Sequence, residues 1–177
     1  GALLAHSLGY VGRINDREIK KIDPEQYRGT DFIGKIGLEK YYENILLGEV
    51  GTEQVETDAR GRLMRILDKK DPVPGSNLTI YMDTELQRIA VEALKGERGA
   101  LVAMDVKTGG ILSMVSNPSY DPNLFTSGIS QKQYDGLLNS PDRPLFNRAL
   151  RGQYPPGSTV KPLFGLIGLQ HKIYDMD

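Results

Sequence analysis

Two residues near the end of the chain have the side chains and the spacing of a serine acyl-transfer site. Ser158 and Lys161 are three positions apart in the run at 154–162, whose sequence is Tyr-Pro-Pro-Gly-Ser-Thr-Val-Lys-Pro. At a helix start this spacing puts both side chains on one face, where the amine can take the proton of the attacking hydroxyl. We therefore predict Ser158 as the nucleophile and Lys161 as the general base.

The predicted helix start also supplies favourable electrostatics. Its free backbone N–H groups and partial positive charge favour an oxyanion beside Ser158 and disfavour an ammonium on Lys161, so the lysine can act as a neutral base. The alternative is that Ser158 only caps a helix and that Lys161 is a solvated surface lysine. For an isolated S-x-x-K pattern this alternative is the commoner one, so the surrounding sequence has to decide.

Several motifs, in order along the chain, resemble one family. The run at 154–162 is similar to the active-serine motif of class B penicillin-binding proteins, and its Tyr-Pro-Pro opening is most similar to the elongation-specific penicillin-binding protein 2 branch. Further similar stretches lie at 34–43, 108–116, 118–123 and 147–149. On these motifs the chain is identified as part of a class B penicillin-binding protein.

The resemblance implies a fold and a reaction. The implied fold is α+β, with residues 1–75 forming the later part of a non-catalytic pedestal, or dimerisation-type, domain. Residues 76–177 would form the N-terminal part of a transpeptidase domain of the serine β-lactamase-like type, with an antiparallel sheet covered by helices. Ser158 would attack the penultimate D-alanine of a peptidoglycan stem peptide, and an amine of another stem would resolve the acyl-enzyme into a cross-link. β-Lactams would trap the same serine.

The resemblance also implies a location and partners. The parent protein would face the periplasm from the bacterial inner membrane, held by an anchor absent from this chain. It would work beside a lipid-linked glycan polymerase and rod-shape proteins. No metal or organic cofactor is implied.

The sequence after Ser158 lacks two elements of this family. The nineteen residues that follow contain no S-x-N and no K-[ST]-G, so we expect a fragment of a larger enzyme that is inactive alone. Lys107, Thr108 and Gly109 spell K-T-G but precede Ser158. Because they lie between two apolar runs and are followed by a second glycine, we predict a hairpin turn there.

Two alternative functions stay open at this point. The chain could be a docking or scaffold module for elongation partners, with the chemistry supplied elsewhere. It could also come from a hydrolytic relative, a D,D-carboxypeptidase, a β-lactamase or a β-lactam sensor, which shares the Ser-Lys pair but passes the acyl group to water or to signalling.

Composition excludes several other classes of function. The chain has 177 residues with 39% hydrophobic and 25% charged residues, which is ordinary for a folded protein, and its net charge of -1 gives no electrostatic case for nucleic acid. The absence of cysteine excludes thiol catalysis and disulfides. No apolar run is long enough to cross a bilayer. His6 and His171 lack metal-ligand spacing, so we predict a structural or solvent-exposed role for each.

Hydrophobic periodicity predicts the elements of the first part. Apolar residues at helical spacing predict a helix over 38–46, ended by Gly48. Strands at 53–57 and 62–67 are predicted to form a hairpin, with its turn glycine at Gly61.

The boundary between the two parts is predicted within 69–77, where charge, two prolines and a glycine interrupt the pattern. Tyr41 and Tyr42 are predicted to pack in the core, and Gly34 and Gly37 to form a turn before the helix.

The elements of the second part are predicted from the same signals. A strand is predicted at 78–82, followed by a helix that begins with a capping box at 84–87. The apolar face of this helix is predicted to consist of Leu86, Ile89, Ala90, Ala93 and Leu94. A hairpin over 100–115, a loop at 117–125, a helix with a capping box over 130–138 and the helix that carries Ser158 complete the second part. The body of this last helix, residues 163–169, is apolar enough that we predict it to be buried.

Overall fold

The computed structural model describes residues 1–173. The end of the predicted transpeptidase part, residues 174–177, lies outside the described residues. The strands are β1 Tyr10–Arg13, β2 Phe32–Ile36, β3 Thr52–Thr57, β4 Leu63–Lys70, β5 Gly99–Met104 and β6 Ile111–Asn117. The helices are α1 Ala5–Leu8, α2 Asp16–Ile19, α3 Gly37–Tyr41, α4 Glu43–Leu46, α5 Thr84–Ala93, α6 Asn123–Ser127, α7 Gln131–Leu138, α8 Arg148–Arg151 and α9 Lys161–Gln170.

The strands of residues 1–173 form antiparallel pairs, β1 with β2, β3 with β4, and β5 with β6. In the third pair Leu101 faces Val115 and Val102 faces Met114, and α5 packs against β6. Antiparallel strands that are joined locally and covered by helices are characteristic of α+β proteins. The predicted fold class is confirmed.

The first thirteen residues pack against the second part of the chain. The side-chain amide of Gln87 in α5 donates a hydrogen bond to the carbonyl oxygen of Leu3 at 2.9 Å. The rings of Tyr10 and Phe125 stack with centroids 4.6 Å apart. These contacts connect sequence positions more than eighty residues apart, and they tie the N-terminal segment to the part that carries Ser158.

The helix predicted over 38–46 is present in two pieces. The break falls at Tyr42, whose φ of -104° and ψ of 19° separate α3 from α4, and Gly48 ends the segment with a φ of +74°. Because the break changes the phase of the apolar stripe, Tyr41 faces solvent and is 80% exposed. The prediction that Tyr41 packs in the core is wrong, although its ring contacts that of Tyr42 at 4.9 Å.

The turn predicted before this helix is formed by Gly37 alone. Gly37 has a φ of +66°, whereas Gly34 lies inside β2, so the turn prediction is wrong for Gly34. A Cβ at Gly34 would lie 2.3 Å from the carbonyl oxygen of Glu39. Glycine is needed there because α3 approaches the strand backbone too closely for any side chain.

The first predicted hairpin is confirmed. β3 and β4 are antiparallel, and Gly61 in their turn has a φ of +77°. The carboxylate of Asp58 accepts hydrogen bonds from the backbone N–H groups of Arg60 and Arg62 and thereby fixes the turn. Every residue of the two strands is exposed, so this hairpin extends away from the rest of the described residues.

The strand predicted at 78–82 is not present. Residues 77–83 have no regular secondary structure. At the end of this segment the Asp83 N–H donates a hydrogen bond to the carbonyl of Leu112 at 2.9 Å. A strand-like sequence forms a strand only where a neighbouring strand can accept and donate its backbone hydrogen bonds. Here the ring of Tyr81 packs on Gly110 instead. A Cβ at Gly110 would lie 2.6 Å from that ring.

The next helix, α5, is confirmed, but its cap and its buried face differ from the prediction. The N-cap is Asp83, whose carboxylate accepts from the N–H groups of Glu85 and Leu86, so the capping box predicted from residue 84 is wrong. Asp83, one residue before Thr84, is the N-cap because its carboxylate reaches both free N–H groups of the first turn. The predicted apolar face is wrong at Ile89, which is 53% exposed, and at Ala93, which is also exposed, whereas the polar Gln87 is buried.

The hairpin predicted over 100–115 is confirmed as β5 and β6. Asp105 organises its turn: its N–H donates to the carbonyl of Gly110 at 2.9 Å, and its carboxylate accepts from the Thr108 hydroxyl at 2.9 Å. Gly109 has a φ of +73°. The Lys-Thr-Gly triplet is therefore part of a turn, as predicted.

The segment after this hairpin is only partly a loop. It contains a cis peptide bond between Asn117 and Pro118 and the short helix α6, which the sequence did not predict. Tyr120 is buried and meets Phe125 edge to face at 5.6 Å. The following helix, α7, is confirmed together with its capping box, which joins Ser130 to the residue three positions later.

Candidate active site

The backbone enters the predicted active site through a sharp bend. After α8 the chain runs in extended conformation through Gly152. Gly157, at a φ of +56°, then turns it into a single 3-10 turn, Gly157–Val160. The N–H of Thr159 donates to the carbonyl of Pro156 at 3.2 Å, and the Thr159 hydroxyl donates to the same oxygen. The two prolines and the glycine thus fix the direction from which the chain reaches Ser158.

Ser158 and Lys161 are brought onto one face by this 3-10 turn. Lys161 is the first residue of α9, and its backbone N–H donates to the carbonyl of Ser158. In 3-10 geometry side chains three positions apart lie directly above one another. The sequence predicted the shared face from an α-helical turn, and the structure produces it from the tighter turn that precedes the helix.

Both predicted catalytic side chains are exposed. Within residues 1–173 no hydrogen bond joins the Ser158 hydroxyl to the Lys161 amine, and no ion pair involves Lys161. The described residues do not bury the amine. The roles of nucleophile and base therefore stay predictions.

The prediction that the body of α9 is buried is wrong for the described residues. Leu163, Phe164, Leu166 and Ile167 are all exposed, and Gly168 is the one residue of α9 that is buried. Apolar composition shows that a helix gains from being covered, but it does not supply the covering layer. Pro162 lies in the first turn of α9, where the missing N–H costs little.

Asn147 and Arg148 position the approach to Ser158, a role that the sequence did not predict. Asn147 caps α8 by accepting from the N–H of Leu150, and its amide donates to the carbonyl of His6 at 3.0 Å. Arg148 is buried, and its backbone N–H donates to the hydroxyl of Ser116 in β6 at 2.9 Å. The available signal was the motif at 147–149, which the sequence tied to a family but not to a contact.

The two histidines differ in burial: His6 is buried and His171 is exposed. His6 is buried against Tyr120, with ring centroids 5.2 Å apart. Burial lowers the pKa of His6, the Pro144 carbonyl opposes that shift, and the charge of Arg148 lowers it further. His171 forms the C-cap of α9. Among the described residues no group of histidines and carboxylates could hold a metal ion, and no helix has the length and apolar character needed to cross a membrane.

Two family models match the chain, one after the other. Residues 1–80 match the penicillin-binding protein dimerisation domain, and residues 99–177 match the penicillin-binding protein transpeptidase domain. Ser158 and Lys161 fall within the second match. The boundary predicted at residues 75 and 76 falls inside the first matched range and stays a prediction.

Curated relatives match nearly the whole chain. The peptidoglycan D,D-transpeptidase MrdA of Acinetobacter baumannii is 52% identical over 175 residues, which are 99% of this chain and 26% of the relative. The protein of the same name from Escherichia coli K12 is 46% identical over 173 residues, 96% of this chain and 27% of the relative. The chain thus spans about a quarter of the length of these relatives.

Solved structures share the fold. The structure of Pseudomonas aeruginosa PBP2 in complex with WCK 5153 has a TM-score of 0.84 and 50% identity, covering 97% of this chain and 34% of that one. The complex between PBP2 and MreC from Helicobacter pylori has a TM-score of 0.88 and 36% identity, covering 96% of this chain and 31% of that one.

Proposed function

Because the chain belongs to the class B penicillin-binding proteins, we propose that it is part of a peptidoglycan D,D-transpeptidase that cross-links the cell wall during elongation. The observation that carries the proposal is the placement of Ser158. Its exposed hydroxyl lies in a 3-10 turn, on the same face as Lys161 and inside the residues matched by the transpeptidase model. The order of the two matched domains and the identity to the MrdA proteins support the same reaction.

The proposed reaction has two acyl transfers. The Ser158 hydroxyl oxygen attacks the carbonyl carbon of the penultimate D-alanine, while the Lys161 amine takes the hydroxyl proton. The bond to the terminal D-alanine breaks, and that residue leaves as a free amine after receiving a proton from Lys161. The amine of a second stem peptide then attacks the ester, forms the cross-linking amide and releases Ser158. A β-lactam mimics the first substrate and stops the cycle at the ester.

The proposal requires a neutral Lys161 amine at the moment of attack. A lysine becomes neutral at ordinary pH when it is desolvated or placed near other positive charge. The described residues provide the partial positive charge of the α9 N-terminus but leave the side chain exposed. We expect the remaining three quarters of the parent protein to cover Lys161 together with the exposed apolar face of α9.

The location and the partners belong to the same proposal. The parent would be anchored in the bacterial inner membrane and face the periplasm, beside a lipid-linked glycan polymerase. A rod-shape protein is the partner with structural support from a relative, since the Helicobacter pylori protein has been solved as a complex with MreC.

A docking role for the β3–β4 hairpin is a second candidate, favoured by its complete exposure. Leu63, Met64 and Ile66 present apolar side chains to solvent there. In the full-length protein, Leu63→Ser with Ile66→Ser should reduce pull-down of the rod-shape partner and leave penicillin labelling intact. If both properties are unchanged, the hairpin is not the docking surface.

The reaction is tested with the full-length protein, a peptide donor ending in D-alanyl-D-alanine and an amine acceptor. A transpeptidase releases D-alanine and forms the donor–acceptor amide, whereas a carboxypeptidase releases D-alanine and yields only hydrolysed donor, and a β-lactamase leaves the peptide donor unchanged. Ser158→Ala should abolish both products, and the matched Ser140→Ala should keep both. Hydrolysed donor without any amide product would replace the transpeptidase proposal by the hydrolytic alternative.

A further inference from the structure

A pocket of about 630 Å³ opens where the active-serine run begins. It lies between the loop that precedes α8 and the extended segment that follows it. We call it the arginine pocket, and its lining consists of Arg143, Phe146, Arg148, Arg151, Gly152, Gln153 and Tyr154. None of these residues is the nucleophile or the base of the proposed acyl transfer, although Arg148 helps to position the approach to Ser158.

Three guanidinium groups gather around one aromatic ring in this pocket. The central carbons of Arg143, Arg148 and Arg151 lie 4.9, 5.9 and 5.8 Å from the centroid of the Phe146 ring. Cation–π attraction to the ring face holds arginines at such distances. The phenyl ring therefore concentrates three positive charges in a small volume.

The guanidinium of Arg148 is the most buried of the three and is held in place by hydrogen bonds. Arg148 is 8% exposed, and its terminal nitrogens donate to the backbone carbonyls of Asp142 and Arg143. These carbonyls satisfy its hydrogen bonds, but they bring no negative charge. A buried cation without a counter-charge is costly unless an anion approaches it.

No carboxylate of residues 1–173 forms an ion pair with Arg143, Arg148 or Arg151. Asp142 belongs to the same loop, but its carboxylate lies 3.7 Å from Arg98 and does not line the pocket. A concave surface that carries one sign of charge attracts ligands of the opposite sign.

The geometry points to the arginine pocket as a binding site for a carboxylate of the peptide substrate, remote from the bond that reacts at Ser158. The planar guanidinium fork matches a carboxylate with two parallel hydrogen bonds. Arg143 and Arg151 are the exposed arginines that can reach such a group, while Arg148 adds its charge from behind.

The distance along the chain fits a peptide. Tyr154, at the rim of the pocket, is four residues from Ser158, so their Cα atoms lie within roughly 14 Å of one another, the reach of four extended residues. An extended substrate with its reacting carbonyl at Ser158 can therefore place an acidic residue, three or four positions before the scissile bond, in the pocket. This inference rests on the proposed function and adds a second, charge-selective contact to it.

The test compares two synthetic peptides that differ in a single charge. Acetyl-Glu-Ala-Lys-D-Ala-D-Ala and its Gln counterpart are titrated into full-length protein carrying Ser158→Ala, which prevents turnover. We expect the Glu peptide to bind about tenfold more tightly, since a hydrogen-bonded charge pair at a partly exposed site is worth roughly 1.4 kcal/mol. Added salt should reduce the difference.

Substitution of the exposed arginines should remove the preference. With Arg143→Gln and Arg151→Gln together, the two peptides are expected to bind equally. The matched control is Arg60→Gln on the β3–β4 turn, which should keep the preference. Equal binding of both peptides to the protein with all arginines intact, or an unchanged preference in the double variant, would overturn the inference. The first of these results does not depend on the folding of any arginine variant.

Inorganic phosphate separates a peptide carboxylate site from a phosphate site. Phosphate could displace the Glu peptide and the Gln peptide to the same extent, and the double variant could lose phosphate binding while its peptide binding stays unchanged. Those two results together would contradict the carboxylate assignment. Failure of the proposed function itself would appear differently, as full-length protein with an intact Ser158 that penicillin does not acylate.

Discussion

Gln87 is the residue whose replacement tests the described fold most sharply. Its side chain is 1% exposed and uses its full hydrogen-bonding capacity. The amide nitrogen donates to the carbonyls of Leu3 and Met114, both at 2.9 Å. The amide oxygen accepts from the Ser113 hydroxyl and from the Met114 N–H, both at 2.8 Å. One side chain thus joins α5, β6 and the N-terminal segment.

Gln87→Leu keeps a similar side-chain volume and removes all four hydrogen bonds. The Met114 N–H and the Ser113 hydroxyl then lose their acceptor inside the fold, at about 1–3 kcal/mol for each unsatisfied group. Burial of the apolar leucine side chain returns about 1–2 kcal/mol. We expect the free energy of unfolding to fall by about 3 kcal/mol, a large share of the roughly 5–15 kcal/mol typical of a domain.

The change is measured by urea unfolding of the 177-residue chain, followed by circular dichroism. Gln131→Leu is the matched control because Gln131 lies on the exposed surface of α7 and bonds only to Asp135 among the described residues. That substitution should alter stability by less than about 0.5 kcal/mol. A loss below about 1 kcal/mol for Gln87→Leu would refute the inference that this network joins the three elements.

Three further predictions concern pH and packing. Burial holds the pKa of His6 below its usual value, so the fold binds fewer protons than the unfolded chain. Stability should therefore fall as pH drops below about 6.5, and His6→Gln should flatten that decline in urea titrations. Burial, helped by Glu43, raises the pKa of Tyr27 to about 12. Glu43→Gln should lower it in a tyrosinate absorbance titration, and an unchanged curve would contradict the contact. Gly110→Ala places a methyl group against the Tyr81 ring. It should lower the melting temperature by several degrees, for a cost of about 1–3 kcal/mol in the free energy of unfolding. Gly96→Ala is the comparison, because a Cβ there meets no other atom and only the positive φ of the backbone opposes the substitution.

Elements governed by local chemistry could be predicted from the sequence. Both hairpins follow from their turn residues, because Gly61 and Gly109 supply positive φ and Asp58 and Asp105 bind the turn N–H groups. The cap of α7 at Ser130 was likewise visible, since its partner lies three residues away.

Features that depend on distant partners could not be predicted in this way. The segment at 78–82 has strand-like composition but no edge to pair with among the described residues. The apolar body of α9 suggested burial, yet the layer that would cover it is not formed within residues 1–173. The sequence assigned Gln87 only to a capping box, whereas its burial depends on Leu3 and Met114, which the fold brings to its side chain.

The candidate site shows the same division. The pairing of Ser158 with Lys161 depends on a spacing of three residues and was accessible from sequence. The arginine pocket combines side chains from a loop, a helix and an extended segment around Phe146. No periodic pattern records that arrangement, so only the structure brings it together.

The proposed reaction requires that the Ser158 hydroxyl becomes acylated. Incubation of the full-length protein with benzylpenicillin, followed by digestion and mass spectrometry, locates the acylated residue. We expect one adduct of the mass of the intact antibiotic on the Ser158 hydroxyl, absent in Ser158→Ala and much slower to form in Lys161→Met. An adduct on any other residue, or undiminished acylation of the Ser158→Ala protein, would contradict it.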